Sequence, residues 1–453
     1  MHDPRFPYTN ELAMPVIGIE SEFKVYVDER EVAPEEVWRT PAGFIERPLL
    51  KRTTKASQLP TGGAVYFDGG VLEVVTPVIE VASQCTARAV RSLWEQIGFV
   101  RDELDAWERR TSRRVRLQAF SCHVNISFEL PRERRGAERT IQKLALLLAL
   151  VLPPPIIVAG ANRRSTAIGV RPRRDRIEIT LDFTPDPGLM AATAALIVGV
   201  VREVIEWPSY RVGAAEEHGL PILAGVTPSP HASRKGWAVR AANFPRDPFT
   251  GDPDAAVWRT TNGRTLSLRR VAMATATVFR DSIRTLSDPF SYRLLFSVLR
   301  GATPSLLDLD DRPAAYDDVG RETRWGSVLP ELRNFAALMH DEEAPELPRR
   351  RRADVDEKLA PPWSGEHADR RRAARPDRDR RAAPPAPPSG RLTRSAYEKV
   401  FLALTSGRRL KIGDEVLTPV KVKGWYHSIF RAPNGEERML SIDQLLRYAG
   451  SWE

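Results

Sequence analysis

The chain has 453 residues, 42% hydrophobic and 28% charged, a globular composition that excludes a mostly disordered protein and fits two to three domains. Lys and Arg number 68 against 59 Asp and Glu, giving a net charge of +9. Residues 349–391 hold 13 basic and 7 acidic side chains, so the remainder of the chain is near neutral. Two cysteines, Cys85 and Cys122, exclude a disulfide framework and fit a reducing, cytoplasmic compartment.

In chain order, Met1–Asn10 shows no basic region followed by an apolar run, so no secretory signal is expected. Strand-like alternation starts in Val16–Val27, with Ile17, Ile19, Phe23 and Val25 on one face and Glu20, Glu22 and Lys24 on the other. In Ala64–Asp68, Tyr66 and Asp68 share a face. Gly69 and Gly70 then permit a turn, and Glu73 follows within Val71–Val75. Ser83–Arg109 carries Cys85, Ala89, Leu93, Ile97, Val100, Leu104 and Trp107 at helical spacing.

Val115–Phe128 sets Cys122, Val124, Ile126 and Phe128 against His123 and Asn125. Leu144–Gly160 is apolar but holds Pro153, Pro154 and Pro155. It reads as a buried helix followed by a strand rather than a membrane span. Arg174–Phe183 alternates again, with Arg176, Glu178, Thr180 and Asp182 on the polar side. Gly188–Ile205 and Leu266–Leu286 read as further helices.

Each strand thus has one face for a core and one rich in ionisable groups. The expected fold is α+β: a curved antiparallel sheet with helices on one face and a cleft on the other, spanning residues 10–345. Residues 346–391, proline- and arginine-rich with Trp363 as their one aromatic, read as a disordered linker. Residues 392–453 read as a small, separate C-terminal α/β module. It has a helix at Ala396–Leu404, strands in Leu410–Trp425 and Tyr426–Met439, a turn at Asn434-Gly435, and Ser441 capping a last helix.

The polar faces carry the chemistry. Glu20 and Glu22 project from one side of one strand, and neighbouring carboxylates repel unless protonated or neutralised by a cation. A hard divalent ion such as Mg²⁺ suits them, with Glu73 and His123 completing the set and Asn125 and Arg176 placed for phosphate. Asp68, beside the Gly69-Gly70 bend, is the candidate base or nucleophile. Taken singly, each motif also has a plain reading: a solvated strand face, a hydrogen-bonded histidine, a capped turn, a surface ion pair. Their agreement across four strands favours a cleft. The common phosphate-loop, dinucleotide, zinc-protease and serine-hydrolase motifs are absent from the sequence.

Together these segments resemble the carboxylate–amine ligase superfamily of glutamine synthetase, and within it the branch of Pup ligase and Pup deamidase/depupylase. Gly18-Ile19-Glu20-Ser21-Glu22-Phe23 is similar to the branch's opening G-x-E-[ST]-E-[YF] strand. Gly63 to Pro77 resembles its G-A-x-x-Y-x-D…P-E-Y-x-[ST]-P segment, and Ser121-Cys122-His123-Val124-Asn125 its G-C-H-E-N-Y strand. Asp175 to Asp182 resembles its R-R-L-H-x-I-x-x-D strand, and Ala191 to Ile197 its G-T-T-A-L-V helix. The resemblance covers residues 14–210, with the motifs in the family's order.

The resemblance implies a glutamine synthetase-like sheet. It implies Mg²⁺ with ATP at Glu20, Glu22, Glu73 and His123, nucleotide contacts from Asn125, Arg176 and Tyr66, and Asp68 as catalytic base or nucleophile. It implies either hydrolysis of a C-terminal Gln amide or isopeptide bond, or joining of a glutamyl carboxylate to a lysine amine through a γ-glutamyl phosphate. The implied partner is a small protein modifier or its conjugates, with a proteasome accessory role. The C-terminal module is free to recruit a partner of its own, and neither a membrane nor nucleic acid is expected.

The spacing of Asp68 to Glu73 and the Thr76-Pro77 ending look like the deamidase, while the short connection from Glu22 to Gly63 looks like the ligase. The deamidase/depupylase reading leads, with the ligase as its alternative and a non-catalytic nucleotide-binding adaptor as a second. The family's H-P before the glutamate is Val71-Leu72 here, its H-E-N-Y glutamate and tyrosine are Val124 and Ile126, and its R-R-L-H histidine is Glu178. The modifier, more than the metal site, is where this chain is expected to differ.

Overall fold

Strict alternation makes β1 (Val16–Val27) a 12-residue strand whose Ile17, Ile19, Phe23 and Val25 are buried on one side. The structure, a computed structural model, describes residues 14–53, 56–130, 136–165, 167–231, 235–308, 319 and 394–453. The expected linker at 346–391 lies outside the described residues.

After β1 come β2 (Arg30–Val32), α1 (Pro34–Trp38), β3 (Leu50–Lys51), β4 (Ala56–Gln58), β5 (Ala64–Asp68), β6 (Val71–Val75) and β7 (Ile79–Glu80). Gly69 and Gly70 join β5 to β6 with φ of 58° and 85°. Two successive positive φ values make the tight primed turn whose twist matches the strands, which is why two glycines stand there.

Helix α2 (Cys85–Thr111) leads into β8 (Val115–Ser127), α3 (Ile141–Val151), α4 (Pro153–Gly160), β9 (Ile168–Pro172), β10 (Arg176–Leu181) and α5 (Pro187–Ile205). There follow α6 (Val212–Glu217), β11 (Ser229–Pro230), β12 (Trp237–Val239), the separate pair β13 (Trp258–Arg259) and β14 (Thr265–Leu266), and helices α7 (Leu268–Val278), α8 (Arg280–Leu286) and α9 (Pro289–Leu299).

Two expectations are corrected here. The apolar stretch after Pro153 is helix α4, not a strand, because prolines in the first turn forfeit no hydrogen bond. The helix expected over Leu266–Leu286 is two, meeting at Phe279. Helix α5 is long and apolar enough to cross a membrane, and 89% of that apolar window is buried inside the protein.

The main sheet runs in the order β11-β12-β9-β10-β8-β1-β6-β5-β4-β3. All of these pairings are antiparallel, and the sheet does not close. The α+β class thus stands. Helices cover the apolar face: Phe23 of β1 and Trp94 of α2 both meet the ring of Phe183, at centroid distances of 5.4 and 5.9 Å. Removing a ring so enclosed costs about 3–5 kcal/mol.

The C-terminal residues form α10 (Ala396–Thr405), β15 (Leu410–Ile412), β16 (Glu415–Lys423), β17 (His427–Arg431), β18 (Glu437–Ser441) and α11 (Ile442–Arg447). Gly413 and Gly424, both at positive φ, break the long expected strands, Asn434-Gly435 turns β17 into β18, and Ser441 caps α11 with a capping box. This segment belongs to the same compact unit as the N-terminal body. β16 pairs in parallel with β3 at Lys421 and Lys51, extending the sheet. Val16 and Val78 sit in one apolar cluster with Phe401, Leu417 and Phe430. Glu398 of α10 meets Arg91 of α2 at 2.7 Å, and Glu80 accepts the Tyr397 backbone N–H, also at 2.7 Å.

Candidate functional site

Register places the ionisable residues in rungs on one face. The first rung runs Tyr66, Glu73, Glu22, Ser121 across β5, β6, β1 and β8. The second runs Glu20, His123, Thr180, and the third Gly18, Asn125, Glu178, Arg171. Arg176 follows, opposite Ser127. Asp68 pairs with Val71 at the tip of the β5–β6 hairpin, two residues beyond Tyr66 on the same face, and is solvent-exposed. Every site residue expected from the sequence therefore lies on one face of adjacent strands.

A bulge in β8 between the partners of Glu22 and Phe23 takes Phe120 out of register, leaving its ring 52% exposed. Such bulges recur beside active sites, where they re-aim a side chain.

The imidazole of His123 lies between two carboxylates, with Nδ1 at 3.4 Å from Glu20 Oε2 and Nε2 at 3.7 Å from Glu22 Oε1. Ser121 donates its hydroxyl to Glu22. Burial acts to raise the Glu20 carboxyl. The hydrogen bond and charge of His123, with Arg176 and Arg52 behind, outweigh burial and hold it below the ordinary value. Glu73 goes the other way. Burial, joined by the charges of Glu22, Glu20 and Asp68, pushes its carboxyl up to about 8 against the opposing Tyr66 hydrogen bond. Burial and the Glu20 and Glu73 carboxylates drive the Tyr66 phenol upward, so it stays a donor.

Several contributors escaped the sequence reading. Arg173 reaches Glu178 at 2.9 Å, and Arg171 is also paired with it, so the glutamate standing at the family's histidine position is buried between two arginines. Arg52 packs its guanidinium 3.7 Å over Trp425, and burial lowers its pKa to about 10. Its Nη1 is buried and has no acceptor among the described residues. The only advance hint of Arg171 and Arg173 was the Arg-Pro-Arg-Arg run before β10. Arg52 carried none, since its segment has no readable period, and Trp425 stood only as the last residue of an expected strand.

Among the described residues, no three His, Cys, Asp or Glu side chains converge as an ion's shell. Mg²⁺ does not require such a cage, since it takes one or two carboxylates and completes its shell with water and phosphate oxygens. Glu20 and Glu22, two residues apart on one strand face, supply that pair, and the negative surroundings that raise Glu73 are those a cation relieves. The oxygen-rich set fits Mg²⁺ held jointly with a phosphate, not a protein-only metal centre.

No protein-family model matches the chain, and comparison with curated proteins finds no match. Among solved structures, it is similar to the complex of prokaryotic ubiquitin-like protein Pup with its ligase PafA, at 13% identity and a TM-score of 0.44, covering 96% of this chain and 91% of that one. It is also similar to the Pup ligase PafA in complex with ADP, at 12% identity and a TM-score of 0.37, covering 88% and 91%. Those figures lie below the level at which function transfers, and what the site does rests on its own side chains.

Proposed function

We propose that this face is the active site of a nucleotide-dependent amide-bond enzyme. The observation that carries the reading is the set Glu20, Glu22, Glu73 and Asp68: four carboxylates on one face of three adjacent strands, with Arg176 and Arg171 two and three strands beyond β1. Such a grouping of like charge destabilises the free protein and gains its use from a cationic, phosphate-bearing ligand. The motif resemblance points the same way, to ATP with Mg²⁺ and to a small protein modifier as substrate.

Each residue then has a task. Glu20 and Glu22 would hold Mg²⁺, with Glu73 behind them and His123 fixing the orientation of both carboxylates. When bound, Mg²⁺ neutralises phosphate charge and orients the nucleotide. Arg176 and Arg52 present guanidinium groups to phosphate oxygens. Asp68, exposed at the hairpin tip, faces the substrate.

In the hydrolytic direction, the leading one, Asp68 either adds to the amide carbonyl, so that ammonia or a lysine amine departs protonated and water then cleaves the aspartyl anhydride, or takes a proton from attacking water and passes it to the departing ammonia or lysine amine. In the ligating direction, the γ-phosphoryl group of ATP passes to the glutamyl carboxylate and ADP is left; the lysine amine attacks that acyl phosphate, Asp68 takes the amine's proton, and phosphate departs as the amide bond forms. Incubation with Mg-ATP and a small protein ending in Gln or Glu, read by mass spectrometry, tests this. Release of ammonia or of a conjugated lysine marks the hydrolase, and an isopeptide adduct marks the ligase. Either must vanish in Asp68→Asn. The absence of both, with nucleotide binding intact, would favour the adaptor reading.

A further inference from the structure

On the reading just given, the polar face binds anionic reactants beside its carboxylates, and a second charged group on that face extends the reading. Glu178 stands on β10 directly across from Asn125 of β8 and Arg171 of β9. Its side chain is buried and paired with Arg171 and with Arg173, the latter at 2.9 Å. Arg173 belongs to the turn from β9 to β10, where its backbone N–H donates to the Arg176 carbonyl. Two guanidiniums against one buried carboxylate leave one positive charge in excess. The cluster between α2 and α10 is balanced instead, because Arg91 and Arg394 there meet two carboxylates, Glu398 and Glu95.

The excess charge has company. Burial and the charge of Arg173 lower the Arg171 guanidinium, and the charges acting to raise it are those of Glu22, Glu20 and Glu73, which sets Arg171 within reach of the site. His231 stands over the same strands. A Cβ at Gly169, the partner of Thr180, would meet the Thr180 side chain at 3.1 Å and the His231 ring at 3.5 Å. Burial first, then the charges of Arg171, Arg240 and Arg173, hold that imidazole below its ordinary value. Thr180 Oγ1, 3.2 Å from the same point, is buried with no partner among the described residues. This part of the face is the inverse of the carboxylate set: cations gather around one carboxylate, with an unmet hydroxyl among them. Like charge so gathered is relieved by an anion, and the forked donors of a guanidinium match a carboxylate or a phosphoryl group.

We propose that Glu178 is a positioning residue: it holds the Arg171 and Arg173 guanidiniums on the site face as the seat of an anionic group, phosphoryl or carboxylate, of the bound reactants. Glu178 itself touches no ligand. Its own charge repels an anion, so charge alone predicts that neutralising it tightens binding. Positioning predicts the reverse, because guanidiniums released from Glu178 are drawn to the carboxylates of the site and lose their fixed geometry.

The test uses the full chain and two probes with Mg²⁺, inorganic tripolyphosphate and a peptide ending in Glu, titrated by calorimetry. Glu178→Gln is expected to weaken one of them about fivefold or more: tripolyphosphate where the seat takes a phosphoryl group, the peptide where it takes a carboxylate. In a variant already carrying Arg171→Gln and Arg173→Gln, adding Glu178→Gln is expected to weaken that probe no further, since Glu178 acts through the arginines. Tighter or unchanged binding of both probes in Glu178→Gln overturns the proposal and leaves the carboxylate site standing. Equal weakening of both also overturns it, because Glu178 then acts on the fold. Where Glu178→Gln does not fold, Arg171→Lys keeps the charge and loses the fork. It is expected to weaken one probe, and unchanged affinity for both overturns the proposal. ATP with Mg²⁺, titrated into wild type alongside, separates the two levels: no binding there removes the nucleotide reading itself and this proposal with it.

Discussion

Two buried charged clusters sit within this unit, and they are built oppositely. At the join between α2 and α10, Glu398 is closed off: Arg91 Nη2 at 2.7 Å occupies one oxygen, and the backbone N–H of Ser395, also at 2.7 Å, the other. Opposite charges face each other, and the pair ties the C-terminal segment to the body. On the polar face of the sheet, carboxylates face carboxylates, Glu73 is forced toward its neutral form, and donors on Asn125 and Arg52 have no acceptor among the described residues. The first cluster is complete as a structure. On the proposed reading, the second is completed by a divalent cation and the phosphates that accompany it. Burial alone does not separate structure from function, whereas unmet charge and unmet hydrogen bonds do.

The sharpest way to break that contrast is at Asp68. Asp68→Asn is expected to lower turnover by about 10²-fold or more with nucleotide affinity unchanged, because its carboxylate acts on the substrate and not on the nucleotide. Steady-state kinetics beside calorimetry read the split, and a parallel loss of affinity would contradict it.

Next comes the closed cluster. Arg91→Met leaves the buried Glu398 with only the more distant Arg394, at 3.6 Å, as a cation and is expected to cost about 3 kcal/mol in urea unfolding, with the double variant Arg91→Met, Glu398→Met recovering much of it. No recovery would mean that the loss is one of packing rather than charge.

The open cluster should respond with the opposite sign. Glu73→Gln removes a like charge and is expected to raise the stability of the ligand-free protein by about 1 kcal/mol while weakening Mg-ATP binding, the exchange of stability for function expected at a strained site. A destabilised variant would show that Glu73 is paired rather than opposed.

Smallest of all is Arg394→Ala. Its bidentate contact with Glu95 at 2.9 and 3.0 Å lies at the margin of the closed cluster, with the arginine side chain 37% exposed. Less than about 1 kcal/mol is expected in the same unfolding assay.

How much of this could be read in advance follows the range of the forces involved. The alternation in Val16–Val27 and Ala64–Val75 is local, so the faces holding Glu20, Glu22, Tyr66, Asp68 and Glu73 were legible before any register was known. Ser395 and Ser441, capping α10 and α11, were local signals too, although only the second was singled out. The prolines at 153–155 were misjudged because their effect depends on whether they open a helix or interrupt one.

What stayed hidden was long-range. Nothing in Leu50–Arg52 announces that it will meet Lys421 and Trp425, some hundreds of residues away in sequence, so the C-terminal segment read as separate and the Arg52–Trp425 stack went unseen. The exposed Phe120 was equally invisible, since a bulge is a property of two paired strands and not of one.

The central claim is that the carboxylate face binds a nucleotide through a divalent cation and acts on its substrate through Asp68. Calorimetry of ATP with and without Mg²⁺, on wild type, Glu20→Ala and Asp68→Ala, tests it most directly. The account predicts Mg-dependent binding in wild type, its loss in Glu20→Ala, and its survival in Asp68→Ala. Wild type that binds no ATP with Mg²⁺, or a Glu20→Ala variant that binds as well as wild type, would contradict it.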